Sequence, residues 1–78
     1  MDNLEKYINA FVEAFEADKN SVASFKREDT EQWDSIGHMK LMAALEDKFE
    51  IEFEPEEMIE FVSYEQGISI LKNKGINL

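Results

Sequence analysis

The residue types in this chain best suited to chemistry fall together in one stretch, Trp33-Asp34-Ser35-Ile36-Gly37-His38-Met39-Lys40-Leu41. Ser35 offers a hydroxyl, Asp34 a carboxylate beside it, and His38, the only histidine, follows three residues later. The stretch reads as a helix start. Asp34 and Ser35 are both good N-cap types, because a side-chain oxygen can accept from backbone N–H groups that have no intrahelical partner. An apolar-periodic run follows through Met42, Leu45 and Phe49. Ser35 is thereby set at the positive end of a helix dipole, where a covalently attached anion would be stabilised by the dipole and by free N–H groups. On the tripeptide Asp-Ser-Ile alone, a plain capping role is the better explanation of the serine.

Other chemistry finds little support. His38 has no second histidine or cysteine at ligand spacing, which argues against zinc. Ser35 and His38 at i, i+3 form an imaginable nucleophile–base pair. A chain this small, however, offers no enclosed pocket, orienting acid or oxyanion loop to complete it. No glycine-rich phosphate loop is present. Eight carboxylates (Glu46, Asp47, Glu50, Glu52, Glu54, Glu56, Glu57 and Glu60) crowd into fifteen residues. They lack the glycine and alternating ligands of an EF-hand loop, so metal binding there would be unspecific. The chain reads as something enzymes act upon.

The elements that must hold Ser35 in place are helical. Seventy-eight residues make one domain, residues 1–78, with one small core. With no cysteine, neither a disulfide nor a thiolate metal site supports the fold. No membrane span or signal-peptide pattern is seen, which points to the cytoplasm. A net charge of −10 disfavours nucleic acid and favours a basic protein surface as partner. Helical spacing of Leu4, Tyr7, Ile8, Phe11, Val12 and Phe15 predicts a first helix over Asn3–Ala17 with a wide core-facing stripe. From Asp18 to Gln32 the pattern fades into turn and cap types. Val22, Phe25 and Trp33 are placed to pin this long connection, and a short helical turn around Ser21–Phe25 is an alternative to plain loop.

The second helix is expected over Ser35–Phe49 with two stripes. Leu41, Met42, Leu45 and Phe49 face the core. Ile36, Met39 and Ala43 lie at i, i+3, i+7, rotated away from it, and serve either as overflow core or as an exposed apolar strip beside Ser35. Together with Lys40, Glu46 and Asp47 they are the candidate partner-binding residues. Pro55 starts a short helix with Glu56 and Glu57 in its first turn, and Met58, Ile59, Phe61 and Val62 supply apolar contacts. Ser63 is an N-cap with Gln66 as capping-box partner. The last helix covers Tyr64–Asn73 with Ile68, Ile70 and Leu71 as core candidates, is weakened by Gly67, and stops at Gly75. The predicted class is an all-α small four-helix bundle, with three main helices, a short one and a long first loop.

These residues resemble the acyl carrier proteins and the wider carrier-domain group over nearly the whole chain. The most specific part is Asp34-Ser35-Ile36, followed by Leu41, Ala44-Leu45-Glu46 and Phe49 in the family's spacing. The resemblance implies an acyl-carrier-like bundle whose Ser35 receives 4′-phosphopantetheine from coenzyme A, through a phosphopantetheinyl transferase. The arm's thiol then carries an acyl or aminoacyl group as a thioester. It further implies Asp34 and Ile36 as flanking motif residues, the second helix as recognition helix, a monomer, and loading and processing enzymes with basic docking patches. The carrier itself would not be an enzyme. Gly37 and Lys40 stand where fatty-acid-synthesis carriers usually have acidic residues. The Trp33–Met39 stretch looks more like stand-alone carriers of specialised lipid or secondary-metabolite pathways. The alternative reading is an unmodified acidic helical module that binds a basic protein.

Overall fold

A computed structural model describes residues 2–78. The described residues form an all-α bundle of four helices: α1 (Asn3–Phe15), α2 (Ser35–Phe49), α3 (Pro55–Glu60) and α4 (Tyr64–Asn73). α1 starts where the Asp2 carboxylate accepts from the Glu5 N–H at 2.8 Å. It ends two residues earlier than its apolar spacing suggested. Glu16 turns left-handed at φ 50° and its N–H returns to the Val12 carbonyl, closing the helix before Ala17. The buried face is also shifted: Ala10 and Ala14 join Tyr7, Phe11 and Phe15 in the core, while Leu4 is exposed. α1 packs against α2.

The core is largely aromatic. Phe11 sits at its centre, with Tyr7, Tyr64, Trp33, Phe15 and Phe61 rings 5.0–6.3 Å away. Such edge and tilted pairs add to simple area burial. The Tyr7 hydroxyl donates to the Tyr64 carbonyl at 2.6 Å, joining α1 to the start of α4, and burial holds its pKa far above that of a free phenol. Gly67 is explained by the same cluster. A Cβ there would collide with the Tyr7 hydroxyl and the Phe61 ring, so the glycine is what allows α4 to pack this closely.

The long first connection is an ordered strap. It contains a 3-10 turn at Val22–Ser24, with Val22 fully buried. Beyond the turn its backbone pairs with the α3–α4 junction: Arg27 N–H donates to Val62 C=O at 2.8 Å, and Tyr64 N–H to Phe25 C=O at 3.0 Å. Phe25 leans on Phe15, and Trp33 is buried, so the apolar residues of this segment do pin it. α4 begins where Ser63 Oγ accepts from the Gln66 N–H at 2.9 Å, and the chain turns away at Gly75 with φ 89°.

α3 is the least anchored helix and has no fully buried residue. Of the residues expected to supply apolar contacts here, Met58 is half-buried, whereas Ile59 and Val62 are exposed. The apolar anchors of this region flank the helix instead: Phe53 before it and Phe61 after it, with ring centroids 5.9 Å apart. A six-residue helix has too few turns to bury more than a narrow face. An ion pair between Lys74 and Glu57, at 2.8 Å, ties α3 to the end of α4 and holds the Glu57 carboxyl below its ordinary pKa.

Candidate functional site: the start of α2

Asp34, not Ser35, caps α2. Its Oδ1 accepts from the Gly37 N–H at 2.8 Å, and its carbonyl accepts from the His38 N–H at 2.8 Å. Ser35 is therefore the first helical residue and is exposed. Its hydroxyl is not spent on capping. The backbone N–H groups of Ser35 and Ile36 precede the first intrahelical donors and have no helical partner. An exposed hydroxyl thus stands beside two open donors at the positive helix end.

Gly37 and His38 press this turn against the rest of the protein. Gly37 is buried: a Cβ there would run into the Gln32 carbonyl and come within 3.0 Å of the Phe15 ring. Glycine at this position is thus a packing requirement.

His38, buried beside Trp33, is the one buried side chain outside the apolar and aromatic core among the described residues. Its Nδ1 accepts from Trp33 Nε1–H at 2.9 Å, and its Nε2 lies 2.8 Å from the Met58 carbonyl. An indole N–H can only donate, so Nδ1 carries no proton. Nε2 then carries it and donates to Met58. The neutral ring thereby ties the strap, the first turn of α2 and α3 together. Burial pushes the His38 pKa down, the bond to Met58 opposes this, and the charge of Arg27 lowers it further. With both nitrogens engaged, the ring has none left to take a proton from Ser35.

The expected partner residues do not form one class. Ile36 (69 % exposed), Met39 (58 %), Lys40, Ala43 and Asp47 all face outward on α2. The second stripe is therefore an exposed strip and not overflow core. Glu46 is different: it is half-buried, and its carboxylate accepts from the Phe53 N–H at 2.9 Å, bracing the α2–α3 connection. Ile59 and Val62, expected to supply apolar contacts, are exposed. His38 reaches α3 through one bond to the Met58 carbonyl, and Met39 and Ile59, next in sequence to the two bonded residues, are both exposed. The pairing of Trp33 with His38 was not anticipated, although a tryptophan five residues before a lone histidine at a helix start was a usable sign.

Among the described residues no cluster of three or more acidic, histidine or cysteine side chains is arranged to hold a metal ion. No helix there is long and apolar enough to cross a membrane. The sequence matches no protein-family model, and no curated protein is significantly similar to it.

Proposed function

We propose that this chain is an acyl carrier protein, with Ser35 the attachment point of 4′-phosphopantetheine. The observation that carries the reading is the division of labour at the start of α2: Asp34 does the capping, leaving an exposed Ser35 hydroxyl beside unpaired N–H groups. The residues fit the group. A phosphodiester on Ser35 Oγ would lie at the positive helix end, where free N–H groups favour an anion. In the modification, Ser35 Oγ attacks the β-phosphorus of coenzyme A. The bond to the leaving 3′,5′-ADP breaks, and the hydroxyl proton passes to a base on the transferase. The bound arm would supply a terminal thiol on which acyl or aminoacyl cargo is held as a thioester.

This chain's own part is presentation. Ile36, Met39 and Ala43 offer an apolar strip beside the attachment point, and Asp47 lends negative charge farther along α2. Phosphopantetheinyl transferase and cargo-handling enzymes with basic docking patches are the partners this surface suits, through fast, salt-sensitive encounters. The same reading places the protein in the cytoplasm as a monomer that serves lipid or secondary-metabolite synthesis. The test is intact mass after incubation with coenzyme A and a promiscuous phosphopantetheinyl transferase. One arm's mass should be added to wild type and none to Ser35→Ala. No addition to wild type, or equal addition to both, refutes the carrier reading and leaves the unmodified acidic module.

A further inference from the structure

His38 joins the first turn of α2 to α3, and its two partners are held very unequally. Trp33, whose Nε1–H donates to Nδ1, is 2 % exposed, and its ring lies 5.2–6.3 Å from those of Phe15, Phe11 and Phe61. Met58, whose carbonyl accepts from Nε2–H at 2.8 Å, belongs to a helix with no fully buried residue. That carbonyl lies in the last turn of α3, where carbonyls have no intrahelical donor, so His38 supplies a donor that α3 lacks. Elsewhere α3 is tied by Phe53 before it, Phe61 after it and the Glu57 pair with Lys74.

A proton cannot be added to this bridge without breaking it. Once Nδ1 carries a proton it faces the Trp33 N–H donor to donor, and an indole has no acceptor to offer instead. The imidazolium would also bring its charge against an aromatic core. Neither ring nitrogen is bonded to a carboxylate that could hold that charge. On α2, the Asp34 carboxylate is engaged by the Gly37 N–H; on α3, Glu57 is paired with Lys74, while Glu56 and Glu60 are exposed. α1 and the α3–α4 junction contribute aromatic rings around Trp33, and the strap brings Arg27, whose positive charge opposes the proton. Trp33 is wedged among three rings, whereas the histidine reaches water by rotating its side chain. In leaving, it takes Nε2 away from Met58.

We propose that His38 is an acid-operated latch: protonation swings its ring out of the core and frees α3 from α2, while α1, α2 and α4 stay folded. A six-residue helix does not hold its own turns in water, so the freed segment frays between Phe53 and Phe61, which remain as pivots. Burial keeps the latched ring's pKa below its ordinary value, and the released ring titrates near about 6.5. Release is therefore favoured as the pH falls below about 6.5, by at most about tenfold per pH unit. The latch stands on this chain's own contacts and holds whatever Ser35 carries.

The test is amide hydrogen exchange followed by NMR on the intact chain, from about pH 7.5 to about pH 5, with rates expressed as protection factors so that the chemical pH dependence of exchange cancels. Glu57, its carboxyl held below the ordinary pKa, keeps its pair with Lys74 through this range. Ring-nitrogen shifts of His38 should report a proton on Nε2 alone at the upper end and imidazolium toward the lower. As the imidazolium forms, protection should fall by up to about tenfold per pH unit at Trp33 Nε1–H and at the Met58 and Phe61 amides, which donate to the Glu54 and Glu57 carbonyls. Core amides of α1, α2 and α4, such as those of Phe11, Leu45 and Leu71, should keep their protection. In His38→Leu the α3 amides should be weakly protected at every pH. Parallel loss in all four helices would mean ordinary acid unfolding and overturns the latch. So does unchanged α3 protection while His38 titrates, or a ring that stays neutral down to about pH 5. If His38→Leu fails to fold, the comparison of helices within wild type decides alone.

Discussion

The bridge made by His38 sets a stability cost that can be worked out and measured. Replacing His38 with Leu keeps an apolar side chain of similar bulk but removes both hydrogen bonds. Trp33 Nε1–H and the Met58 carbonyl then lose partners 2.9 and 2.8 Å away. An unsatisfied buried polar group costs about 1–3 kcal/mol, so two cost roughly 2–6 kcal/mol. For a domain of this size, each kcal/mol shifts Tm by about 4–8 °C, so a fall of roughly 10 °C or more is expected. The pH response has a definite sign. The folded His38 pKa lies below the unfolded value of about 6.5, so between the two the unfolded chain binds the additional proton. Wild type therefore has the full His38 contribution above about pH 6.5 and loses it as the pH falls through that value, by at most about 1.4 kcal/mol per pH unit. His38→Leu lacks this dependence, and the carboxylate background is common to both proteins. Thermal melts followed by far-UV circular dichroism and by Trp33 fluorescence should show a stability gap that is widest above about pH 7 and narrows below about pH 6. A gap that does not change with pH, or a variant as stable as wild type, would refute the assignment of His38 as a neutral double hydrogen-bonding bridge.

Glu46 and Asp47 are neighbours with different jobs. Glu46→Gln should destabilise by about 1 kcal/mol or more in urea melts through its weakened bond to Phe53 N–H, while Asp47→Asn should stay within about 0.5 kcal/mol. Gly37→Ala should cost about 1–3 kcal/mol or more from overpacking against Gln32 and Phe15, whereas Lys40→Glu should melt like wild type. Lys40→Glu should still change the rate of loading by a partner that offers a basic contact, so Lys40 is the clean probe of partner charge and Gly37 is not. With a net charge of −10, Tm should rise from low to moderate salt as self-repulsion is screened, and a flat response would show that pairs such as Lys48–Glu13 dominate.

The helices were legible because their signals are local. Asp34 or Ser35 before an apolar-periodic run and Ser63 before Tyr64 can satisfy free N–H groups locally, Pro55 opens a short helix because it has no N–H to satisfy, and all three helices begin where those residues predict. Which of Asp34 and Ser35 caps α2 was left open by the sequence, since both types serve. The geometry decides it, and the candidate site depends on that decision. What the sequence hid is long-range. The bridge made by His38 depends on Met58, twenty residues away. The need for Gly67 depends on Tyr7 and Phe61, and the structural task of Glu46 on a backbone N–H in the following loop. Nor does the sequence show that Ile59 and Val62 stay exposed: α3 is a six-residue helix with no buried residue, and Val62 lies beyond its end.

These long-range contacts surround Ser35 unevenly, and the unevenness suits a presenting role. On the inner side, Gly37 and His38 lock the first turn of α2 against Gln32, Phe15, Trp33 and Met58. On the outer side Ser35, Ile36, Met39 and Lys40 are exposed, and few protein contacts restrain what approaches them. A group attached to Ser35 would move as freely as its own bonds allow while its anchor stayed fixed. Partners would then meet a reproducible helix face whatever the cargo. Residues that stiffen the anchor should therefore be separable by mutation from those that read the partner. His38→Leu should loosen the turn and lower Tm, and Met39→Ala should weaken docking while leaving Tm near wild type.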